Sequence, residues 1–341
     1  MPERAPANAL GTMLSLMSGH AIVRSISLIA DLGIADLLAD GPKSAAELAS
    51  RCNVDEQMLF RVMRALAAVG VFAEASGSRF ALNTISECLL TQHPHTLRDF
   101  VRLRGDNMYW QAWHEFPQAV RAGDIAFERA HGCAHFDLLE QKPEAGRLFH
   151  RGMRAYSTQV AASVIQTYDF SGFHTVLDVG GGQGAFLAAL LQAHPTLRGK
   201  LFDLPAALEQ SRSVLEAAGV AERCEIVPGD FFESLPNGAD AAVLGRVIHN
   251  WDDNDCVRIL KNCRAALPAG GRLLIIEYVV TDDEDGVPAK LFDLQMLVLF
   301  GHARERTAEE YGQLLARAGF SLARVVPTPL GISIVDGEAV A

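Results

Sequence analysis

The sequence predicts an α/β protein in which a mainly helical N-terminal domain precedes an open, mainly parallel, doubly wound sheet. Residues 1–40 carry apolar side chains at helical spacing. From residue 170 onward, short apolar runs alternate with helical segments. Residues 175–184 read TVLDVGGGQG, an apolar run that ends at clustered glycines before a new helical pattern begins. A chain of 341 residues is long enough for more than one domain.

Composition narrows the class of protein. The chain is 49% hydrophobic and 21% charged, which is typical of a globular protein, and its net charge of −11 argues against nucleic acid as a partner. The segment 21–39 is interrupted by Arg24, Asp31 and Asp36, so no membrane span is expected. Met1–Arg4 lacks the apolar core of a signal peptide. The six cysteines form no C-x-x-C pair, so we expect reduced thiols in a cytoplasmic protein.

The N-terminal elements follow a helix, helix, hairpin order. Ser44 and Glu47 form a capping box, and Asp55 can cap a helix over 56–69. Residues 71–74 and 79–82 predict a hairpin around a Ser-Gly-Ser turn. This is a winged-helix pattern, which often binds DNA. Residues 1–100, however, contain 8 Lys/Arg and 10 Asp/Glu, so a protein–protein surface is favoured over a phosphate-binding one.

The middle of the chain is aromatic and mostly helical. Residues 105–166 include Trp110, Trp113 and Phe136 at helical spacing. Most of these side chains are expected in a core, but such a stretch can also wall a pocket for a flat apolar ligand. We therefore divide the chain into an N-terminal domain over 1–104, a helical connector over 105–166 and a C-terminal domain over 167–341.

The C-terminal half predicts the sheet itself. Helical segments separate the first five candidate strands, whereas only Pro327-Thr328-Pro329 separates the last two, which should therefore pair antiparallel. The candidate strands are 175–179, 200–203, 224–227, 240–248, 272–279, 320–326 and 331–335.

The glycine cluster predicts a nucleotide-like cofactor. Gly180, Gly182 and Ala185 fit a dinucleotide pattern, and Asp203 stands where an acid holds ribose hydroxyls, so an NAD-dependent oxidoreductase is one hypothesis. Asp178 before the glycines could instead hold the ammonium group of an amino-acid moiety.

A third acid favours S-adenosylmethionine over NAD. Asp230 follows the third candidate strand, where it can accept from an adenine amino group while Phe231 or its neighbour stacks on the ring. Three acids at successive strand ends, with no basic residue in the glycine loop for phosphates, suit a cationic cofactor that has no phosphate.

On these motifs the chain resembles the small-molecule O-methyltransferases that include plant caffeate and bacterial antibiotic-tailoring enzymes. The resemblance covers nearly the whole chain and implies a Rossmann-like methyltransferase domain, S-adenosylmethionine as cofactor, and a winged-helix domain that forms a homodimer without binding DNA. The motifs that carry it are LDVGGGQG (177–184), FDLP (202–205), GDFF (229–232), RVIHNWDD (246–253), GRLLIIE (271–277), RERT (304–307), FRVMRAL (60–66), HGCAHF (131–136) and FHRGM (149–153).

His249 is the predicted catalytic base. It lies at the end of the fourth candidate strand, where strand ends face the ligand crevice. A phenol has a pKa of about 10, so a histidine that takes its proton makes it a better nucleophile. The resemblance gives His249 this role and places Glu277 and Glu305 beside it to orient the imidazole. For Glu305 the alternative is a salt bridge with Arg304 or Arg306.

The resemblance also suggests binding residues. For the cofactor it adds Ser157, Gly229 and Arg246. For a small hydroxylated aromatic acceptor the candidates, with core packing as the alternative for the apolar ones, are Phe149, Met153, Asn250, Met296 and Phe300. Two positions depart from the pattern of relatives: Asn250 replaces a frequent Asp, and Gly245 replaces the Lys of plant enzymes.

Several alternatives stay open. No His/Asp cluster suggests a metal, so catalysis is expected to be metal-independent. N-methylation, a methyltransferase fold with altered chemistry, and a winged-helix regulator that senses a metabolite remain as further hypotheses.

Overall fold

A computed structural model describes residues 8–283 and 286–340. The expectation about Met1–Arg4 lies outside these residues. The described chain divides into two compact units. The N-terminal unit holds the residues up to Trp110 together with Arg147–Ala155, and the C-terminal unit holds Gln111–Gly146 and the residues from Tyr156 onward. Residues 105–166 contribute to both units, so the division at 104 and 166 stays a prediction.

The N-terminal unit has the predicted helix, helix, hairpin order. The Ser44–Glu47 capping box is present, and the Asp55 carboxylate accepts the backbone N–H of Met58 at 2.8 Å. The short strands form an antiparallel sheet in the order β1-β3-β2. The elements are α1 (Ala9–Met17), α2 (Gly19–Leu32), α3 (Ile34–Leu38), β1 (Lys43–Ser44), α4 (Ala45–Cys52), α5 (Glu56–Ala68), β2 (Ala73–Ala75), β3 (Arg79–Ala81), the 3-10 turn Ser86–Leu89 and α6 (Arg98–Arg104).

The structure corrects the premise that no segment of the chain is long and apolar enough to span a membrane. The helical residues Ala9–Leu32 are long and apolar enough by length and composition, although helices of soluble proteins pass the same test. The apolar stretch extends N-terminal of residue 21 because Ser18 joins α1 to α2 through helical backbone angles. Only 17% of the most apolar window is buried within the chain.

The C-terminal unit contains the predicted doubly wound sheet. Its strand order is β11-β12-β8-β7-β4-β5-β6, parallel from β8 to β6 and antiparallel in β8-β12-β11. The strands are β4 (Thr175–Val179), β5 (Arg198–Asp203), β6 (Cys224–Pro228), β7 (Ala241–Gly245), β8 (Arg272–Glu277), β11 (Phe320–Pro327) and β12 (Ser333–Ala339), with a separate parallel pair β9 (Val279–Val280) and β10 (Arg306–Thr307).

Helices and buried side chains cover this sheet. A continuous core includes Leu177, Leu244 and Ile275 from the strands and Leu260 and Leu315 from the helices. The remaining elements are α7 (Asn107–Ala122), α8 (Ala126–His131), α9 (His135–Gln141), α10 (Pro143–Thr167), α11 (Ala185–Ala193), α12 (Ser211–Ala217), α13 (Asp253–Ala266), α14 (Val287–Phe300) and α15 (Ala308–Arg317), with 3-10 turns at Ala221–Arg223 and Ile248–Asn250. Part of α7 and of α10 belongs to each unit.

The structure corrects two details of the sheet. The fourth strand does not run to residue 248: its ladder with β8 ends at Gly245, and Arg246 takes a left-handed φ of 61° that turns the chain. His249 therefore lies on a 3-10 turn beyond the strand. In addition, no helix joins β6 to β7, because the connection 229–240 is a turn region that contains two glycines and a proline.

Candidate active site

The loop between β4 and α11 contains four glycines, of which Gly182 has open space around it. Gly180, Gly182 and Gly184 have φ values of 70°, 57° and 79°, which favour glycine. A β-carbon on Gly180 would lie 2.8 Å from Cγ2 of Val247, so this position admits no side chain. The backbone N–H of Gly182 donates to Oδ2 of Asp203 at 2.8 Å. The loop is thus fixed close to the end of β5.

Three acids stand at the carboxyl ends of neighbouring strands, as predicted. Asp178 is 2% exposed, and within residues 8–283 and 286–340 its Oδ2 has no hydrogen-bond partner. Burial, and then the charge of Asp203, raises the pKa of Asp178 to about 7. Asp230, directly after Gly229, accepts the backbone N–H of Phe232 at 2.8 Å. Phe231 lies edge-to-face with Phe232, with ring centroids 5.0 Å apart.

Arg246 presents a guanidinium group between two aromatic rings. Its guanidinium carbon lies 4.7 Å from the ring centre of Tyr156 and 4.9 Å from that of Phe292. Nε and Nη1 are buried and make no hydrogen bond to any residue that the structure describes. Ser157 follows Tyr156 on α10, and the Tyr156 and Tyr278 hydroxyls are 3.1 Å apart. Unsatisfied buried donors on a cation indicate a site for an anionic group.

The three predicted catalytic side chains come together. His249, Glu277 and Glu305 are 2%, 1% and 3% exposed. A ring nitrogen of His249 and one carboxylate oxygen of each glutamate all lie within 4.8 Å of one another. The imidazole Nδ1 is 2.6 Å from Oε1 of Glu305, and the His249 backbone N–H donates to Oε1 of Glu277 at 3.0 Å. Because Glu305 occupies Nδ1, Nε2 is the ring nitrogen left to exchange a proton.

Arg306 and the β9–β10 pair hold the three residues in place. Arg306 is fully buried and donates to the backbone oxygens of Ile248 at 3.3 Å and Trp251 at 2.9 Å, on either side of His249. Arg306 forms its salt bridge with Asp253, and Glu305 pairs with His249 instead. The alternative of a salt bridge between Glu305 and Arg306 is therefore not observed. Arg304 likewise pairs with Glu310 and Asp253 rather than with Glu305.

Burial dominates the electrostatics of this group. It lowers the pKa of His249 to about 4 and raises the pKa of Glu305 to about 8, where the carboxylate of Asp293 adds to the rise and Arg246 opposes it. The pKa of Glu277 is also raised, first by burial. Asp293 itself accepts the backbone N–H of Glu305 at 2.7 Å. When the His249–Glu305 pair takes up a proton, the proton therefore binds to the Glu305 carboxyl rather than to the imidazole.

Two of the predicted acceptor residues lie on α14. Phe300 is stacked with Phe136 at a centroid distance of 5.6 Å and an interplanar angle of 25°, and Met296 is buried. Asn250 lies on the same 3-10 turn as His249 and donates to the backbone oxygen of Arg246 at 3.2 Å. Phe149 and Met153 belong to the N-terminal unit, where both are half-buried, so their predicted role stays a prediction.

Sequence reasoning missed several neighbours of His249. The ring of Phe292 is parallel to the imidazole within 10°, with centroids 5.9 Å apart. Phe292 is four residues before Met296, so the i, i+4 spacing of α14 could have found it. Tyr311 donates to Oε2 of Glu277 at 2.5 Å. In the sequence it has the pattern of an ordinary core residue, so this contact with Glu277 could not be predicted.

Comparison with known proteins gives the family. A family model described as an O-methyltransferase domain matches residues 113–321, and a model of the O-methyltransferase dimerisation domain matches residues 14–92. The chain belongs to the O-methyltransferase family. It is 40% identical to the phenazine O-methyltransferase PhzM of Lysobacter antibioticus over 339 residues, which cover 99% of each chain. These findings confirm the predicted family and fold class, and identify the chain as a methyltransferase.

Two further relatives agree. The mitomycin biosynthesis 6-O-methyltransferase of Streptomyces lavendulae is 39% identical and covers 97% of this chain and 95% of its own. The structure of CalO1, a methyltransferase in calicheamicin biosynthesis in its S-adenosylhomocysteine-bound form, superimposes with a TM-score of 0.88 at 35% identity, covering 99% of this chain and 100% of that one. S-adenosylmethionine is therefore the cofactor, and the NAD-dependent oxidoreductase alternative is not favoured.

The residues present fit that cofactor. The open space beside Gly182, the unpartnered Oδ2 of Asp178 and the unpartnered N–H groups of Arg246 match the close approach, the ammonium group and the carboxylate of an amino-acid moiety. Asp203 and Asp230 offer acceptors for hydroxyl and amino groups. No basic residue lies in the glycine loop between Val179 and Ala185, in keeping with a cofactor that lacks phosphate.

Replacing Arg246 tests the anionic subsite. We expect Arg246→Met to weaken S-adenosylhomocysteine binding by about 10- to 100-fold, because one or two charge-assisted hydrogen bonds are lost. Isothermal titration calorimetry measures this. Arg212→Met, on an exposed side chain of α12, is the matched control and should bind as the unmodified protein does. Equal affinity of both variants would remove Arg246 from the cofactor site.

Proposed function

We propose that this enzyme transfers a methyl group from S-adenosylmethionine to an aromatic hydroxyl of a small secondary metabolite, with His249 as the general base. The observation that supports this most is the buried His249–Glu305 contact at 2.6 Å, which fixes the imidazole with Nε2 available. Bound S-adenosylmethionine supplies an electrophilic methyl group. Asp178, Gly180, Gly182, Asp203, Gly229, Asp230, Phe231, Arg246 and Ser157 are the proposed cofactor-binding residues.

His249 and its two carboxylates handle the proton. As the acceptor oxygen bonds to the methyl carbon and the sulfur–carbon bond breaks, the hydroxyl proton passes to Nε2 of His249. Glu305, at Nδ1, stabilises the resulting imidazolium, and Glu277 holds the backbone of the same residue. The buried surroundings exclude water and strengthen these interactions. Metal-independent catalysis is part of this proposal.

The acceptor site proposed here is apolar and flat. Phe292 covers the imidazole, and the stacked pair Phe136–Phe300 adds parallel aromatic surface on the same unit. Met296, Asn250, Phe149 and Met153 complete the proposed substrate-binding set. Two carboxylates close to His249 favour an acceptor whose reacting group is a neutral hydroxyl that loses its proton.

Replacing His249 tests the base. We expect His249→Gln to lower kcat by about 10²- to 10⁴-fold, because the proton has no acceptor at the right place. Mass spectrometry of reactions with S-adenosylmethionine and hydroxylated aromatics, all containing EDTA, follows the gain of one methyl group. S-adenosylhomocysteine affinity should be unchanged, which separates lost chemistry from lost binding. Retained turnover would show that His249 is not the base, and turnover that EDTA abolishes would refute metal independence.

The raised pKa of Glu305 predicts a pH profile. While Glu305 keeps its proton it hydrogen-bonds Nδ1 as a donor and forces the other imidazole proton onto Nε2, which then cannot act as a base. We therefore expect kcat to rise with pH through a midpoint near 8, the value to which burial raises the pKa of Glu305.

A matched variant separates this midpoint from ionisation of the substrate. Asp293→Asn removes a carboxylate that raises the pKa of Glu305, while the amide oxygen can still accept the Glu305 backbone N–H. The midpoint should move to lower pH. A midpoint that stays where it is in this variant would assign the profile to the acceptor phenol instead.

We also propose that the enzyme is a cytoplasmic homodimer joined through the N-terminal unit, without nucleic-acid or membrane partners. The chain carries the family's dimerisation domain. Large apolar side chains of α1 are 56–71% exposed within one chain, which leaves a surface for a second copy: Leu10, Met13, Leu14, Leu16 and Met17. The cysteines are all free, in keeping with a reducing compartment.

Charge on this helix tests the dimer. Leu10→Glu combined with Leu14→Glu should convert a dimer into a monomer in light scattering, because two charges per chain would be buried at the interface. Val120→Glu, at an exposed apolar position of α7 in the C-terminal unit, is the control and should remain dimeric. If light scattering gives the mass of a monomer for the unsubstituted protein, the homodimer is refuted.

A further inference from the structure

A buried amide on α14 has one half of its hydrogen-bonding capacity unused. Gln295 is 2% exposed. The indole Nε1–H of Trp113, on α7, donates to Oε1 of Gln295 at 3.2 Å. Nε2 of the same amide is buried and has no hydrogen-bond partner within residues 8–283 and 286–340. The side chain of Gln295 therefore has a buried N–H donor that no described residue satisfies.

Trp113 fixes which way this amide faces. An indole N–H can only donate, so the atom opposite it must be the amide oxygen. A flipped amide would set two donors against each other, and the orientation of Nε2 follows from the chemistry of its neighbour. Both residues lie in the C-terminal unit. The donor is thus locked in direction before any ligand arrives.

The donor lies on the helix that covers the catalytic histidine. Phe292 stacks on His249 and Asp293 accepts the backbone N–H of Glu305. Gln295 is three residues after Phe292, so the two side chains are neighbours on one helix face, with β-carbons about 5–6 Å apart. The donor therefore lies on the same face of α14 as the ring that stacks on His249.

We propose that Gln295 Nε2 donates a hydrogen bond to a carbonyl oxygen or a ring nitrogen of the acceptor, beside the hydroxyl that is methylated. The inference rests on the proposed function and specifies its substrate class: fused aromatic hydroxy compounds with a neighbouring hydrogen-bond acceptor, in preference to plain phenols. Trp113 acts as the positioning residue for the amide.

Simple core packing explains Gln295 less well. Accepting the indole N–H of Trp113 requires only the amide oxygen, whereas a buried amide N–H without its own partner is unfavourable. A site built to hydrogen-bond its ligand also discriminates against an analogue that lacks the partner atom, because that analogue leaves the donor unpaired. The unpaired Nε2 is the signature of such a site in its unliganded form.

A matched pair of acceptors tests the proposal. 1-Hydroxyphenazine and 1-anthracenol have nearly the same shape. They differ in the central ring, where only the first has a nitrogen at the position peri to the hydroxyl group. We expect kcat/KM to favour 1-hydroxyphenazine by about 10-fold or more, the effect of one hydrogen bond. Gln295→Met should reduce this ratio to within about 3-fold. Unchanged affinity for S-adenosylhomocysteine shows that the variant is folded.

Gln313→Met makes the same chemical change at an exposed position of α15 and should preserve the preference. If Gln295→Met keeps the full preference, or loses activity equally with both acceptors, the proposal is overturned. If neither acceptor is methylated, their affinities for the S-adenosylhomocysteine complex decide. Tighter binding of 1-hydroxyphenazine that depends on Gln295 supports the inference and counts against the proposed reaction, whereas equal or absent binding overturns the inference itself.

Discussion

The geometry around His249 depends on the buried guanidinium of Arg306. This group hydrogen-bonds the backbone oxygens on both sides of His249 and the carboxylate of Asp253, while its own backbone forms β10 beside β9. Glu305 is the residue before Arg306, and Glu277 ends the strand just before β9. One side chain therefore fixes the distance between the turn that carries the imidazole and the loop that carries its carboxylate partner.

The parallel sheet supplies the other half of the frame. Its strand ends place the glycine loop, Asp203 and Asp230 along one edge, and the 3-10 turn with His249 follows the adjacent strand β7. The left-handed backbone of Arg246 makes the junction between these two regions. A non-glycine residue in that conformation is unfavourable by itself, and its guanidinium contacts the rings of Tyr156 and Phe292.

Local sequence patterns predicted the parts of this arrangement that local chemistry decides. The glycines, the capping box at Ser44, and the acids at the ends of β5 and β6 depend on neighbours in the chain. The end of β7 could not be predicted in this way, because residues 246–248 are as suitable for a strand as those before them and only the ladder with β8 decides where pairing stops. The contacts of Tyr311 and Gln295 could not be predicted for the same reason, because their hydrogen-bond partners are 34 and 182 residues away in the chain.

The two carboxylates beside His249 differ in a way that assigns them separate tasks. Both oxygens of Glu277 have fixed donors, the His249 backbone N–H and the Tyr311 hydroxyl, so the orientation of this carboxylate is fixed. Glu305 contacts the imidazole through Oε1 only, and its Oε2 lacks a partner among the described residues. An unfilled oxygen lets Glu305 gain or lose a proton without breaking the network, whereas protonation of Glu277 would disrupt one of its two bonds. In the proposed mechanism Glu305 therefore sets the protonation state of the base and stabilises the imidazolium, whereas Glu277 holds the backbone of His249 in place.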